Sequence, residues 1–169
     1  MGTYLLSIHL ERGRLALERD QLTEARQSYA QVQQLAEQAG RSLILGKAHL
    51  GLGWVAYQDG DFTQAHLHLE RAIALCGQED LRTQLVAQAL LGLTWLGLDQ
   101  VAKAVAVIQA GMAIAATGER VLVARPQLYW TYYRILNHVG RSIEAQDWLR
   151  MAQTLLITQS ARLPDLWRE

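Results

Sequence analysis

A spacing that recurs four times along the chain constrains its fold more than any other feature. The segments Asp20-Gln-Leu-Thr-Glu-Ala25, Gly60-Asp-Phe-Thr-Gln-Ala65, Asp99-Gln-Val-Ala-Lys-Ala104 and Gly140-Arg-Ser-Ile-Glu-Ala145 align as a turn residue, a polar residue, usually an apolar one, and then alanine. The alanines lie 40, 39 and 41 residues apart. Twelve residues before the first three stand Gly13, Gly53 and Gly92. Four residues after each alanine comes a large apolar side chain (Tyr29, Leu69, Ile108, Leu149), and seven after it a small or modest one (Val32, Ala72, Gly111, Ala152). Two helices approach closely only where their facing surfaces carry little side chain, so glycine on one helix is expected to meet alanine on the next. A fixed period of this length means helix hairpins stacked on one another, because a single hairpin cannot bury its own apolar face.

Composition agrees with a helical chain. Ala, Leu, Gln, Arg and Glu dominate, Pro occurs only twice, and β-branched residues rarely cluster. The first helices of the hairpins are predicted near Gly2–Glu18, Arg41–Gln58, Asp80–Gly97 and Val121–His138. The second helices are predicted near Leu22–Gln38, Phe62–Cys76, Val101–Ala116 and Ile143–Ser160. Connections carry Gly40, Asp59-Gly60, Gly77, Gly118 and Gly140, where glycine can take the left-handed conformation that ends a helix. Pro126 falls a turn inside the seventh predicted helix, so that helix is either kinked or begins later. Val101–Ala116 is apolar enough to be a subunit contact or, more simply, a helix sandwiched between the third and fourth pairs.

Size and charge narrow the class of function. A chain of 169 residues, 50% of them apolar, can bury one real core and is short for two large domains. Its 16 basic and 16 acidic residues cancel, so there is no broad field to draw in a nucleic-acid backbone or an anionic membrane. One cysteine, Cys76, makes no internal disulfide, and the N-terminus has no secretory signal, which points to the cytoplasm. Apolar stretches are broken well short of the roughly 20 residues a membrane-spanning helix needs.

The first-helix glycine, the Gly-Asp-Phe turn, the alanine and the large residue after it together resemble the tetratricopeptide repeat, over nearly the whole chain. The resemblance implies an all-α, right-handed α-solenoid of four antiparallel helix pairs. These form one domain over residues 1–169, with repeats near 2–40, 41–79, 80–118 and 119–162 and a tail at 163–169. The period departs from the ~34 residues usual in that family, which asks for longer helices. The fourth copy departs too, with Tyr133 at the small position and Ser142 at the apolar one, as a terminal repeat lacking one neighbour is expected to do. The long repeat is similar to the C-terminal arms of MalT-like bacterial signalling ATPases, and the ending Leu155-Leu-Ile-Thr-Gln-Ser-Ala-Arg-Leu-Pro-Asp165 is similar to the tail of such arms. With a first helix that opens uncapped, the expectation is a piece of a larger protein.

In that family the first helix of each pair lines the concave face. The register points Ser7, Leu10, Arg14 and Leu17 inward from the first copy, and Lys47, Leu50, Trp54 and Tyr57 from the second. The third gives Val86, Ala89, Leu93 and Leu96, and the fourth Gln127, Trp130, Arg134 and Asn137. Candidate contacts for a protein or peptide are therefore Arg14, Lys47, Leu50, Trp54, Tyr57, Leu93, Trp130, Arg134 and Asn137. Trp54, Tyr57, Trp130 and Arg134 lead, because tryptophan and arginine bring large area with a polar handle. The two tryptophans could instead pack between adjacent helices.

Nothing in the sequence supplies catalysis or a cofactor. His66 and His68, two apart on a helix, point to different faces, whereas metal ligands want a spacing of three or four. His9 and His49 share a repeat position, which favours packing, and Cys76 reads as a small buried group. Gly51-Leu-Gly53 belongs to the small positions of the repeat and follows no strand, so it is not a phosphate loop. The leading expectation is a non-catalytic scaffold that holds a protein or peptide, as the interaction arm of a bacterial signalling or regulatory protein. The alternative is an inducer-sensing arm in which Arg14, Lys47 or Arg134 converge on a small molecule. Self-association through an exposed apolar face is a further expectation.

Overall fold

The computed structural model describes residues 2–77, 79–116 and 125–161. They form eight consecutive helices: α1 (Gly2–Glu18), α2 (Leu22–Gln38), α3 (Ser42–Gln58), α4 (Phe62–Cys76), α5 (Leu81–Gly97), α6 (Val101–Ala116), α7 (Arg125–His138) and α8 (Ser142–Ser160). No strand occurs among the described residues, and the all-α, tetratricopeptide-like solenoid expected from the repeat is the fold observed. Arg41 and Asp80, predicted as first helical residues, stand one residue outside their helices. Asp80 caps α5, its carboxylate accepting from the Thr83 backbone N–H at 3.1 Å. Asp61 caps α4 in the same way, through Gln64. The described part of α7 starts at Arg125, and Pro126 beside it is buried. The predicted stretch from Val121 to Ala124, the turn glycine Gly118 and the tail 163–169 lie outside the described residues.

The hairpin turns are built alike. After α1, α3, α5 and α7 a residue takes a left-handed backbone: Asp20 (φ 59°), Gly60 (φ 78°), Asp99 (φ 58°) and Gly140 (φ 78°). The following N–H then bonds back to the carbonyl five residues earlier, as Gln21 does to Ala16 at 2.8 Å and Asp61 to Ala56 at 2.9 Å. This doubly bonded helix ending satisfies carbonyls that the last turn would leave open. Glycine adopts it without strain, and aspartate can approach it.

The alanines of the repeat, Ala25, Ala65, Ala104 and Ala145, are all buried. The glycines meet a different partner than alanine, however. A methyl on Gly53 would stand 2.8 Å from Leu69, and one on Gly92 would stand 2.8 Å from Ile108. The large residue one turn after each alanine is thus what the glycine makes room for. Alanine brings the backbone near: the Ala65 carbonyl lies 3.5 Å from the same point at Gly53.

Each helix packs on its sequence neighbours, and the first helices α1, α3, α5 and α7 also pack successively on one another to form an inner layer. Among the described residues the second helices make at most marginal contact with each other. The core is continuous from α4 to α8, with two smaller clusters joining α1, α2 and α3. The helix enclosed on all sides is α5, where every residue from Ala87 to Trp95 is buried. Helix α6, expected to be sandwiched, touches α5 and α7 but exposes Ala102, Ala106, Ala110 and Ala113 on its outer side. The apolar residues on that outer side are alanines, which leave little area to hide.

Candidate functional site

The inner layer presents a stripe of first-helix side chains, and the structure sorts the expected contacts by how free they are. Trp54 on α3 is 37% exposed and Trp130 on α7 is 43% exposed, so neither is consumed by packing between helices. Leu50 and Tyr57 are half-buried, and Tyr57 lies against Phe62 with ring centroids 5.6 Å apart. Leu93 is 8% exposed and belongs to the core of α5, where it offers a partner little surface. Asn137 is exposed, and its side-chain oxygen accepts from the Ser142 hydroxyl at 3.3 Å.

The cations of the stripe are not equivalent. Arg14 is held within its own helix by Glu11 at 2.9 Å and by Glu18. Lys47 reaches Asp80 at 3.2 Å, tying α3 to the cap of α5. Burial pushes the Asp80 carboxyl up, but hydrogen bonds from the Thr83 backbone and hydroxyl, together with Lys47, outweigh it and hold the group below its ordinary value. Arg134 differs: its guanidinium lies 5.1 Å from the centre of the Trp130 ring, and it has no carboxylate in ion-pair reach among the described residues. A cation over an indole face is attracted by the ring quadrupole while its charge stays uncompensated. Trp130 and Arg134 therefore form one preassembled apolar and cationic surface.

The histidines are placed as structural groups. His68 meets His49 with Nδ1 atoms 3.0 Å apart, whereas His66 faces the other way and stacks on Trp95 of α5 at 4.9 Å. Desolvation lowers the basicity of both His49 and His68. His68 and Arg71 add to it at His49, with Glu37 opposing, and Arg26 adds to it at His68. One neutral imidazole donates to the other. No group of three or more metal-ligating side chains occurs among the described residues. Burial pushes the Cys76 thiol up to about 11, with Asp80 adding to the shift, so almost no thiolate forms near neutrality.

Comparing histidines only along a helix or between copies overlooked the His49–His68 pair. The pairing runs across the hairpin, and the corresponding positions in the fourth copy, Tyr129 and Trp148, also meet, at 5.3 Å between ring centres. Tyr132 closes on the other side of Trp148 at 5.1 Å.

A stack of helix hairpins with a mixed aromatic and cationic inner face defines a helical-repeat scaffold. Residues 4–78, which span α1 to α4, match the family model described as Tetratricopeptide repeat, and this supports a tetratricopeptide-type repeat protein. A search of curated proteins finds no match. Repeats of this type generally mediate interactions between proteins. No described helix is long and apolar enough to cross a membrane.

Proposed function

We propose that the inner face holds a segment of another protein, with Trp54, Tyr57, Trp130 and Arg134 as its principal contacts. The observation that carries this is the Trp130–Arg134 pair: a half-exposed indole under a guanidinium that has no acidic partner among the described residues. Such a surface suits a segment bearing an apolar side chain next to a carboxylate, since the arginine can accept the anion without breaking an existing ion pair. Leu50 and Asn137 extend the contact. Leu93, Arg14 and Lys47 support the helices around it, being buried or already paired. In this reading the whole chain acts as one non-catalytic unit of four repeats, near 2–40, 41–79, 80–118 and 119–162. Its role is that of a cytoplasmic interaction arm in a signalling or regulatory protein.

Peptides selected from a random display library on the wild-type protein provide the test. Their affinity should fall at least tenfold, about 1.4 kcal/mol, in a Trp54→Ala, Trp130→Ala variant, and acidic peptides should weaken selectively in Arg134→Gln. Selected peptides that bind the double variant with unchanged affinity would remove the inner face as the binding surface.

A further inference from the structure

We propose that the chain associates head to tail with a second copy of itself, the outer face of α1 in one copy docking on α8 of the next. The argument is one of register. Inside the chain a second helix receives the following first helix three times: α2 receives α3, α4 receives α5, and α6 receives α7. Two positions of the received helix are buried each time, Ala48 and Val55 in α3, Ala87 and Thr94 in α5, Leu128 and Ile135 in α7. The same positions in α1 are Ile8 and Leu15, and these are 59% and 43% exposed.

The other half of the joint stands at the far end. Ala36, Cys76 and Ala115 are buried near the ends of α2, α4 and α6, while the corresponding residue of α8, Leu156, is 54% exposed. A hollow of about 480 Å³ opens on the α1 face, lined by Ile8, Leu15 and Ala16 together with the charged Glu11, Arg12 and Glu24. Each end thus presents, in apolar residues, the complement of the other, so a second copy of this chain offers each face the partner it fits. Glu11 and Arg12 occupy positions that are Gly51 and Leu52 in α3, which makes this joint more polar and weaker than the internal ones. Association is therefore concentration-dependent. A joint between unlike faces that repeats by translation does not close, so it is also open-ended.

Sedimentation of the wild-type protein, of Ile8→Glu, of Leu156→Glu and of an equimolar mixture of the two variants tests this. The wild-type average mass should rise steadily with concentration. Each variant alone should remain monomeric, because one face of every joint is spoiled. The mixture should form a dimer and stop there, because the sound α8 of one variant meets the sound α1 of the other. Both positions are exposed, so thermal melts matching the wild type should establish that the variants fold; Leu15→Glu replaces Ile8→Glu if that one does not. A wild type that stays monomeric at every concentration, a mixture that stays monomeric, or an assembly that survives Leu156→Glu overturns the proposal.

Discussion

The ring of Tyr29 on α2 fills the space that a side chain on Gly51 of α3 would need. The same ring lies against Gly13 of α1, 2.8 Å from where a methyl there would sit, so one phenol keys the first helix pair to the second. Burial in this slot, with Glu11 adding to it, pushes the Tyr29 hydroxyl up to about 12.

Replacing Gly51 by alanine should therefore destabilise the protein, although alanine ordinarily favours a helix interior by ~0.5–1 kcal/mol over glycine. Overlap with the ring should outweigh that gain and leave a net loss of about 1–3 kcal/mol, read as a lower urea midpoint. Adding Tyr29→Leu should recover part of the loss, because the next joint packs with leucines, Leu69 and Leu90, at the corresponding positions. A Gly51→Ala protein as stable as wild type would contradict the keyed packing.

The His49–His68 pair predicts acid sensitivity. Both groups are less basic in the folded chain than the ordinary value of 6.5, so the unfolded chain binds protons that the folded pair refuses. Stability should be full above that value and decline as pH falls through it toward the depressed folded values. Below those it should decline no further on this account. Melting temperatures measured between about pH 7.5 and 5 should fall less steeply in a His49→Gln, His68→Gln variant than in wild type. Parallel slopes would show that the pair does not resist protonation.

Asp20 holds a left-handed backbone at φ 59° in the turn where the second and fourth copies use Gly60 and Gly140. Asp20→Gly removes the strain of a side chain there and should raise stability by ~0.5–1 kcal/mol, less the greater freedom glycine gives the unfolded chain. A chemical denaturation curve with a lower midpoint than wild type would count against strain at this turn.

Cys76 is buried, with its thiol pushed up to about 11. Disulfide-exchange reagents should modify it at neutral pH only as fast as the chain opens, and orders of magnitude faster in denaturant. Rapid stoichiometric labelling of the native protein would show that the end of α4 is more open than this packing allows.

Much of the fold could be read from the sequence because small residues and turn residues constrain backbones directly. Asp20, Gly60, Asp99 and Gly140 announce a reversal, and Gly53 and Gly92 announce a neighbour too close for a Cβ. What the repeat could not show was how tightly successive copies nest. Leu93 shares a register with Trp54 and Arg134, yet α5 packs more extensively on α7 than α3 does on α5, and Leu93 is covered. The hint lay in the apolar run of α5 from Ala89 to Leu96, interrupted only by Thr94, since a helix apolar all round is an interior one. The repeat register groups the candidate contacts on the first helices. Which cations among them remain free was not legible, because Lys47 and Asp80 become partners only through tertiary packing.

Among the described residues no extensive contact joins helices more than two places apart along the chain. Damage in one hairpin is accordingly felt by its immediate neighbours and hardly beyond them, and the ends can fray while the middle stays intact. Amide hydrogen exchange should proceed inward from α1 and α8, with the enclosed α5 protected longest. The molecule would then yield in stages, like a stack of plates lifted from either side, instead of in one cooperative collapse.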